Sequence, residues 1–263
     1  MAVLGQVATE AFPQLTITQS QTWVPPQDGT VCIHVVGAGG GGRSVSNDCH
    51  SGGAGAYAKI PSLAVTTSGS YALVVGVGGA GGYQGANGGA GGSSQISGTG
   101  LTGTKTCVGG GAGVNANNGA GGAVQGSGES WAGYSGGAGA YGNGGAVGIY
   151  GTGQAGQGGG GDGGGMTDAQ SGGLAMSGFG IICGGSKPSP SYYFITNYFN
   201  YPVQGDDLCG GGAVLYSSNS GWINSASGGI GGGGGGCRNG NSDNNAFSGH
   251  GGDGIILIQY LPW

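Results

Sequence analysis

The sequence predicts a mainly β chain: a bundle of extended glycine helices closed by a small β-framework, with irregular connections and almost no α-helix. Three observations predict it. Glycine recurs at a strict interval of three at Gly133, Gly136, Gly139, Gly142, Gly145, Gly148 and Gly151, and again at Gly76, Gly79, Gly82, Gly85, Gly88 and Gly91. That period belongs to the threefold polyproline-II-type helix, which rises about 3.1 Å per residue and makes no internal hydrogen bonds. Short runs rich in Val, Ile and Tyr lie before and after the glycine-rich middle, as β-strands would. Finally, only 6% of residues are charged while 17 are Tyr or Phe and 4 are Trp, which is not the composition of a disordered chain.

Taken in order, residues 1–14 form a leader without repeats, and residues 15–263 a single glycine-rich domain. Leu15–Val24 (LTITQSQTWV) alternates apolar and polar residues and reads as one half-buried strand ending at Pro25-Pro26. Val31–Val36 (VCIHVV) is a second strand that runs directly into a glycine cluster, GAGGGG. Tyr57–Val65 and Tyr71–Val77 are a third and fourth, joined by the turn sequence TTSGS. Gly254–Tyr260 (GIILIQY) is apolar enough to lie centrally in a sheet. The β-framework is therefore expected at 15–77 and 254–260, and the glycine-helix bundle at 78–178 and 210–253. As one straight helix, residues 133–151 would run to nearly 60 Å at about 3.1 Å per residue. A domain of this length is only roughly 45–50 Å across, so a fold-back is expected at Tyr141–Asn143. A glycine helix cannot satisfy its own backbone, so its N–H and C=O groups must pair with adjacent helices or water.

Residues 179–209 interrupt the pattern with an aromatic excursion carrying Tyr192, Tyr193, Phe194, Tyr198, Phe199 and Tyr201. Cys183 and Cys209 flank it at a spacing that allows a disulfide staple, and a nearby insertion adds Tyr216 and Trp222. Aromatic residues on loops raised from a rigid frame offer large contact area at low entropy cost. These eight aromatics are the candidate recognition residues; shielding the outside of a core-poor bundle is the competing role.

Chemistry is sparse elsewhere. Six cysteines permit up to three disulfides but include no CxxC pair, so no metal site is expected. Asp206-Asp207 is the only adjacent acid pair and reads as a solvated turn. His34, His50 and His250 cannot be assembled with a nucleophile and an orienting group. No phosphate-binding GxxxxGK[ST] occurs, and the GGxGxD calcium repeat fails at both Asp162 and Asp168. The expectation is a protein that is not an enzyme and takes no cofactor. A net charge of −5 without a basic patch argues against nucleic-acid binding. No apolar run approaches the roughly 20 residues of a membrane span, and MAVLGQVATEAF lacks the basic and apolar regions of a secretory signal.

The segments TWVPPQDGTVCIHVVGAGGGG, GGAGAYAKI, SGSYALVVGVGGAGG and, at the far end, GGDGIILIQY together resemble the glycine-rich domain of bacteriophage tail-fibre proteins and adhesins. They cover roughly 16–92 and 249–260, and the middle matches in composition. The bundle also resembles the polyglycine-helix tip of long-tail-fibre adhesins in T-even-like phages. It is similar, too, to the extracellular glycine-rich region of anaplastic lymphoma kinase, although this chain carries no kinase or transmembrane portion. The resemblance implies a jelly-roll-like β-sandwich from which polyglycine II helices emerge. It further implies a virion protein at a tail fibre or tail tip, extracellular after host lysis, that attaches to a host cell-surface receptor, either a glycan or an outer-membrane protein. Other virion proteins are implied partners, and both a homotrimer and a single chain capping a trimer suit it. The alternative is a structural virion component (a capsid fibre, decoration or tail-assembly protein) without direct receptor binding. The chain lacks the distinctive N-terminal attachment segment of the adhesin family, so its mounting on a fibre does not follow from the resemblance.

Overall fold

The computed structural model describes residues 14–45, 50–115, 117–140, 142, 144–149, 151–156, 175–176, 182–183, 210, 223–225, 227–238 and 246–262. They form two antiparallel five-stranded sheets with no helix among the described residues. The first sheet comprises β1 (Gln14–Ile17), β3 (Gly29–Val36), β5 (Tyr57–Val65), β10 (Ala132–Tyr134) and β16 (Ile255–Tyr260). The second comprises β2 (Gln21–Trp23), β6 (Tyr71–Val74), β7 (Ser94–Gly98), β8 (Lys105–Cys107) and β9 (Val124–Gln125). Their orders are β1-β16-β3-β5-β10 and β2-β6-β7-β8-β9.

The period-two pattern of β3 decides which face is buried. Val31, Ile33 and Val35 are fully inaccessible, while Cys32 and His34 between them are half-buried on the opposite face. Opposite them stand Tyr260, Ile258 and Ile256 of β16, in register. The second sheet closes this core with Trp23, Tyr71, Leu73 and Ile96, and the Trp23 and Tyr71 rings lie 5.3 Å apart. Each such side chain is worth roughly 1.5–3 kcal/mol when taken fully out of water. The pairing of β3 with β5 shifts register between Val31 and Ile33, where Pro61 and Ser62 stand opposite Cys32. A proline has no N–H to give the ladder, and a bulge accommodates it.

The expected strand Leu15–Val24 is two strands in different sheets. β1 pairs with β16 and β2 with β6, so the chain crosses the sandwich at residues 18–20. The Ser20 hydroxyl there accepts from the Val75 N–H at 3.0 Å. Strands β7, β8, β9 and β10 fall inside 78–178, where the sequence signalled only glycine helices. Five two-residue strands complete the set: β4 (Ser44–Val45), β11 (Ala175–Met176), β12 (Ile182–Cys183), β13 (Ile223–Asn224) and β14 (Cys237–Arg238), with β15 (Ala246–Phe247) as a sixth. They form the pairs β11-β12, β13-β15 and β14-β4.

From the end of β3 the chain enters the glycine bundle, and the hydrogen bonds of residues 37–43 show its geometry. Gly37, Gly40 and Arg43 donate to Ala56, Gly53 and His50. Ala38 and Gly41 donate to Gly92 and Gly89, and Gly39 and Gly42 to Gly252 and Gly249. Donors three apart return to the same neighbour, three residues further back, which is the signature of a threefold helix among antiparallel neighbours. Segments running parallel donate to it in turn: Gly110 and Gly113 to Ala38 and Gly41, Gly79 and Gly82 to Gly39 and Gly42, and Gly234 and Cys237 to Gly40 and Arg43. Residues 37–43 are thus the axis of a lattice with six neighbouring segments. Residues 50–56 form a second axis beside it, bonded also to residues near 111, 119, 137, 145 and 234.

Both long period-three runs fold back. The first turns at Tyr83–Ala86, after which Gly89 and Gly92 donate to Ala80 and Val77. The second turns about Gly142, whose φ is 87°, and Gly137 donates to Ala146. Glycine is obligatory between such axes because the backbones touch: a Cβ on Gly37 would lie 2.6 Å from the Val108 oxygen.

Candidate functional site

Residues 37–43, 50–56, 76–82, 86–92, 108–113 and 119–123 join the sandwich strands at one end of the bundle and reach its other end. Described residues of five connections lie at that distal end: 43–45 with 50, 83–86, 114–115 with 117, 140 with 142, and 237–238 with 246–247. Hydrogen bonds close the first three, from Arg43 to His50, from Ala86 to Tyr83 and reciprocally between Val114 and Asn117. Others tie the connections together. Gly236 donates to Gly142, Cys237 pairs with Ser44 in a parallel ladder, and Tyr83 bridges to Phe247. A Cβ on Gly113 would lie 2.8 Å from the His50 carbonyl carbon and 3.0 Å from the Arg43 nitrogen, so the tips are in direct contact. The lattice holds these turns about 20 Å from the sandwich, seven residues at roughly 3.1 Å each.

On this face the Tyr83 and Phe247 rings stack with centroids 4.2 Å apart and planes 19° from parallel. Gln84 beside them is exposed and takes a left-handed backbone, φ 49°, followed by Gly85 at 84°. A non-glycine residue in that region stores strain of order 1–3 kcal/mol. The edge beside the stack is closed by side chains in place of a further helix: Asp253 Oδ1 accepts from the Gly78 N–H at 2.7 Å and His250 Nδ1 from the Gly81 N–H at 3.3 Å. Phe247, His250 and Asp253 are three residues apart, so one stripe of the last segment serves the whole edge.

Two polar constellations lie on the sandwich. On the outer face of the first sheet, Cys32 Sγ lies 3.4 Å from His34 Nε2, and His34 Nδ1 lies 2.8 Å from the Tyr57 hydroxyl. This is a thiol, a base and an orienting group in line, an assembly that the sequence does not announce. Its one sequence signal is the i, i+2 spacing of Cys32 and His34, which puts both on one strand face. Burial raises the Cys32 pKa, only partly countered by Lys59, while burial and the Lys59 charge both lower that of His34. Both shifts favour the neutral thiol and imidazole over an ion pair.

The second constellation surrounds Lys105, a fully buried lysine in β8. Its ammonium donates to the carbonyls of Thr102 and Ser127 and pairs with the Glu129 carboxylate. The loop that delivers Glu129 contains four consecutive or near-consecutive left-handed residues, Gly126, Gly128, Glu129 and Ser130. Hydrogen bonds, first from Lys105 and then from Thr102, hold the Glu129 pKa down at about 2. A buried cation is tolerable only when paired and hydrogen-bonded, so this is a staple for the loop between β9 and β10.

The aromatic residues singled out in the sequence, Tyr192, Tyr193, Phe194, Tyr198, Phe199, Tyr201, Tyr216 and Trp222, lie outside the described residues, as does a Cys183–Cys209 bridge. Of those positions only the backbone of Cys183 is described, paired with Ala175 in the β11-β12 ladder. Among the described residues no group of three or more His, Cys, Asp or Glu side chains could hold a metal ion.

A two-sheet sandwich that feeds a glycine lattice accounts for most of the described residues between β1 and β16, and a known family covers that span: that of the glycine-rich domain matches residues 16–261. The chain belongs to this family. No curated protein matches it. In this glycine-rich domain the candidate surface is therefore defined by geometry: the distal face of the lattice, with Tyr83 and Phe247 as its stacked aromatic pair.

Proposed function

We propose that this glycine-rich domain is a bacteriophage virion protein, a receptor-binding adhesin of the tail fibre or tail tip that attaches to the host cell surface. One observation carries the reading: described residues of five connections from distant parts of the chain are gathered on one face by a lattice of backbone hydrogen bonds. Such a frame leaves turn residues free to vary while their positions stay fixed, which suits recognition. The resemblance of the strand-plus-glycine segments to tail-fibre adhesins supplies the virion setting. The receptor would be a surface glycan or an outer-membrane protein, and neighbouring virion proteins would hold the sandwich end.

The test is direct binding of the purified, labelled protein to cells of candidate bacterial hosts, with imaging of the chain on the particle. Saturable binding that falls at least tenfold in Tyr83→Ala/Phe247→Ala supports the distal face as the site. Binding that survives this double change but is lost with Tyr192→Ala/Tyr193→Ala moves the site to the aromatic excursion. A position on the capsid shell, with no cell binding, would sink the adhesin reading in favour of a structural virion component.

A further inference from the structure

Four neighbouring segments, residues 76–82, 86–92, 108–113 and 119–123, form one row over the two axes. Gly89 donates to Ala80, Gly91 to Gly110 and Gly111 to Ala120, which links the row edge to edge. Within it, residue types are sorted by direction. A Cβ on Gly79, Gly89, Gly111, Gly119 or Gly122 would come within 3.0 Å of a neighbouring segment's backbone. Val77, Ala80, Asn87, Ala90, Ala120 and Ala123 are all exposed. The hydrogen bonds follow the same division. Among the described residues, the N–H groups of Val77, Ala80, Ala90 and Ala120 meet no acceptor, whereas those of Gly79, Gly82, Gly89 and Gly91 all do.

The outer face of this row is thus a lattice edge with unused backbone donors. Exposed sheet edges are commonly guarded by charge, but no charged residue lies between Lys59 and Lys105 or between Lys105 and Glu129. Small side chains are what remains. We infer that the outward methyl groups of Ala80, Ala90 and Ala120 terminate the lattice and prevent this face from bonding to the same face of a second copy.

Inside the bundle, N–H···O=C distances such as Gly89 to Ala80 and Gly79 to Gly39 are 2.8 Å. Carbon atoms pack no closer than about 3.5–4.0 Å, so a methyl group standing between two rows holds them apart by about 1 Å. That carries the hydrogen bonds close to 4 Å, beyond useful range. Segments in the row alternate in direction, so a copy related by a two-fold axis would present matching donors and acceptors. With these three methyls removed the steric block over the middle of the row is gone, while Val77, Asn87 and Ala123 still project from it.

The experiment compares wild type with Ala80→Gly/Ala90→Gly/Ala120→Gly and Ala80→Ser/Ala90→Ser/Ala120→Ser by sedimentation velocity across a hundredfold concentration range. The glycine variant is expected to self-associate at concentrations where wild type and the serine variant keep one unchanging sedimentation coefficient. A folded glycine variant that sediments as wild type overturns the inference. Amide exchange on the wild type is a second, independent reading, needed if the glycine variant does not fold. Ala80, Ala90 and Ala120 are expected to exchange at least a hundredfold faster than Gly79, Gly89 and Gly91; equal protection of the two sets overturns it.

Discussion

Replacing Gly40 with alanine tests whether backbone contact is what holds the bundle together. Gly40 donates to the Gly53 oxygen at 2.9 Å and accepts from Gly234 at 2.8 Å, on the axis of the lattice. A Cβ there would stand 2.6 Å from the Gly111 carbonyl carbon and 2.9 Å from the Gly110 oxygen. Carbon–carbon contact needs about 3.5–4.0 Å, so the segments must part by about 1 Å. Overpacking of this kind costs about 1–3 kcal/mol, and two stretched hydrogen bonds add about 1 kcal/mol each. The lower chain entropy of unfolded alanine returns about 0.4–1 kcal/mol. The net destabilisation is about 2–4 kcal/mol, or roughly 5–15 °C in melting temperature at about 2–4 °C per kcal/mol for a domain of this size. Gly151→Ala is the matched control, because a Cβ there meets nothing within 4 Å; it should stabilise by about 0.4–1 kcal/mol. Thermal unfolding followed by calorimetry reads both. A Gly40→Ala protein melting within a degree of wild type would refute the lattice argument.

Other positions give sharper contrasts. Gly231 has φ 68° and a Cβ there would lie 2.6 Å from Val36 Cγ1 and 2.7 Å from Val147 Cγ2, so Gly231→Ala should lower the denaturation midpoint through backbone strain as well as crowding. Glu129 is held ionised down to about 2, below the ordinary carboxylate range near 4.3. Its contribution is therefore fully present above that ordinary range and is lost as pH falls towards 2. Glu129→Gln should melt lower than wild type at pH 7 and approach it near pH 2, as urea titrations at both pH values would show. Tyr57→Phe removes the partner at 2.8 Å from His34 Nδ1 and should cost about 1 kcal/mol, while shifting the His34 imidazole resonances in a pH titration by NMR. Unchanged resonances would mean that the ring is not oriented by Tyr57.

The period-three glycines make the lattice legible from the amino-acid order alone, because only a threefold helix brings every third residue to one neighbour. The length of residues 133–151 against the width of a domain also locates its turn. What the sequence does not reveal is the second sheet beyond β2 and β6. β7 is SQISG and β8 is KTC, too short and polar to alternate detectably, with Ile96 and Cys107 as their main apolar anchors. Their identity as strands comes from β6, to which β7 pairs through four residues. Leu15–Val24 looks like one strand because Leu15, Ile17 and Trp23 fall at odd positions on one face; the chain changes sheets at residues 18–20, inside the all-polar run 18–22, where side chains fit either side. The Cys32–His34–Tyr57 line is hidden because Tyr57 is 23 residues from His34 and joins it only through the β3-β5 register. The distal face is foreseeable only as a set of turns; which turns meet there is decided by hydrogen bonds between segments far apart in sequence.

Those separations have a consequence for how the protein is made. Residues 37–43 leave the ribosome early, yet Gly39 and Gly42 donate to Gly252 and Gly249, and β3 needs β16 beside it. At about 5–20 residues per second, the axis waits on the order of 10–40 s for those partners. Until they arrive the axis has only its earlier neighbours, residues 50–56, 79–82, 89–92 and 110–113, and lacks those at 234–237 and 249–252, a non-local closure that comes late. The lattice can therefore be completed only once the segment before β16, and β16 itself, have been made. A chain cut before residue 249 should lose both the sandwich and the bundle together.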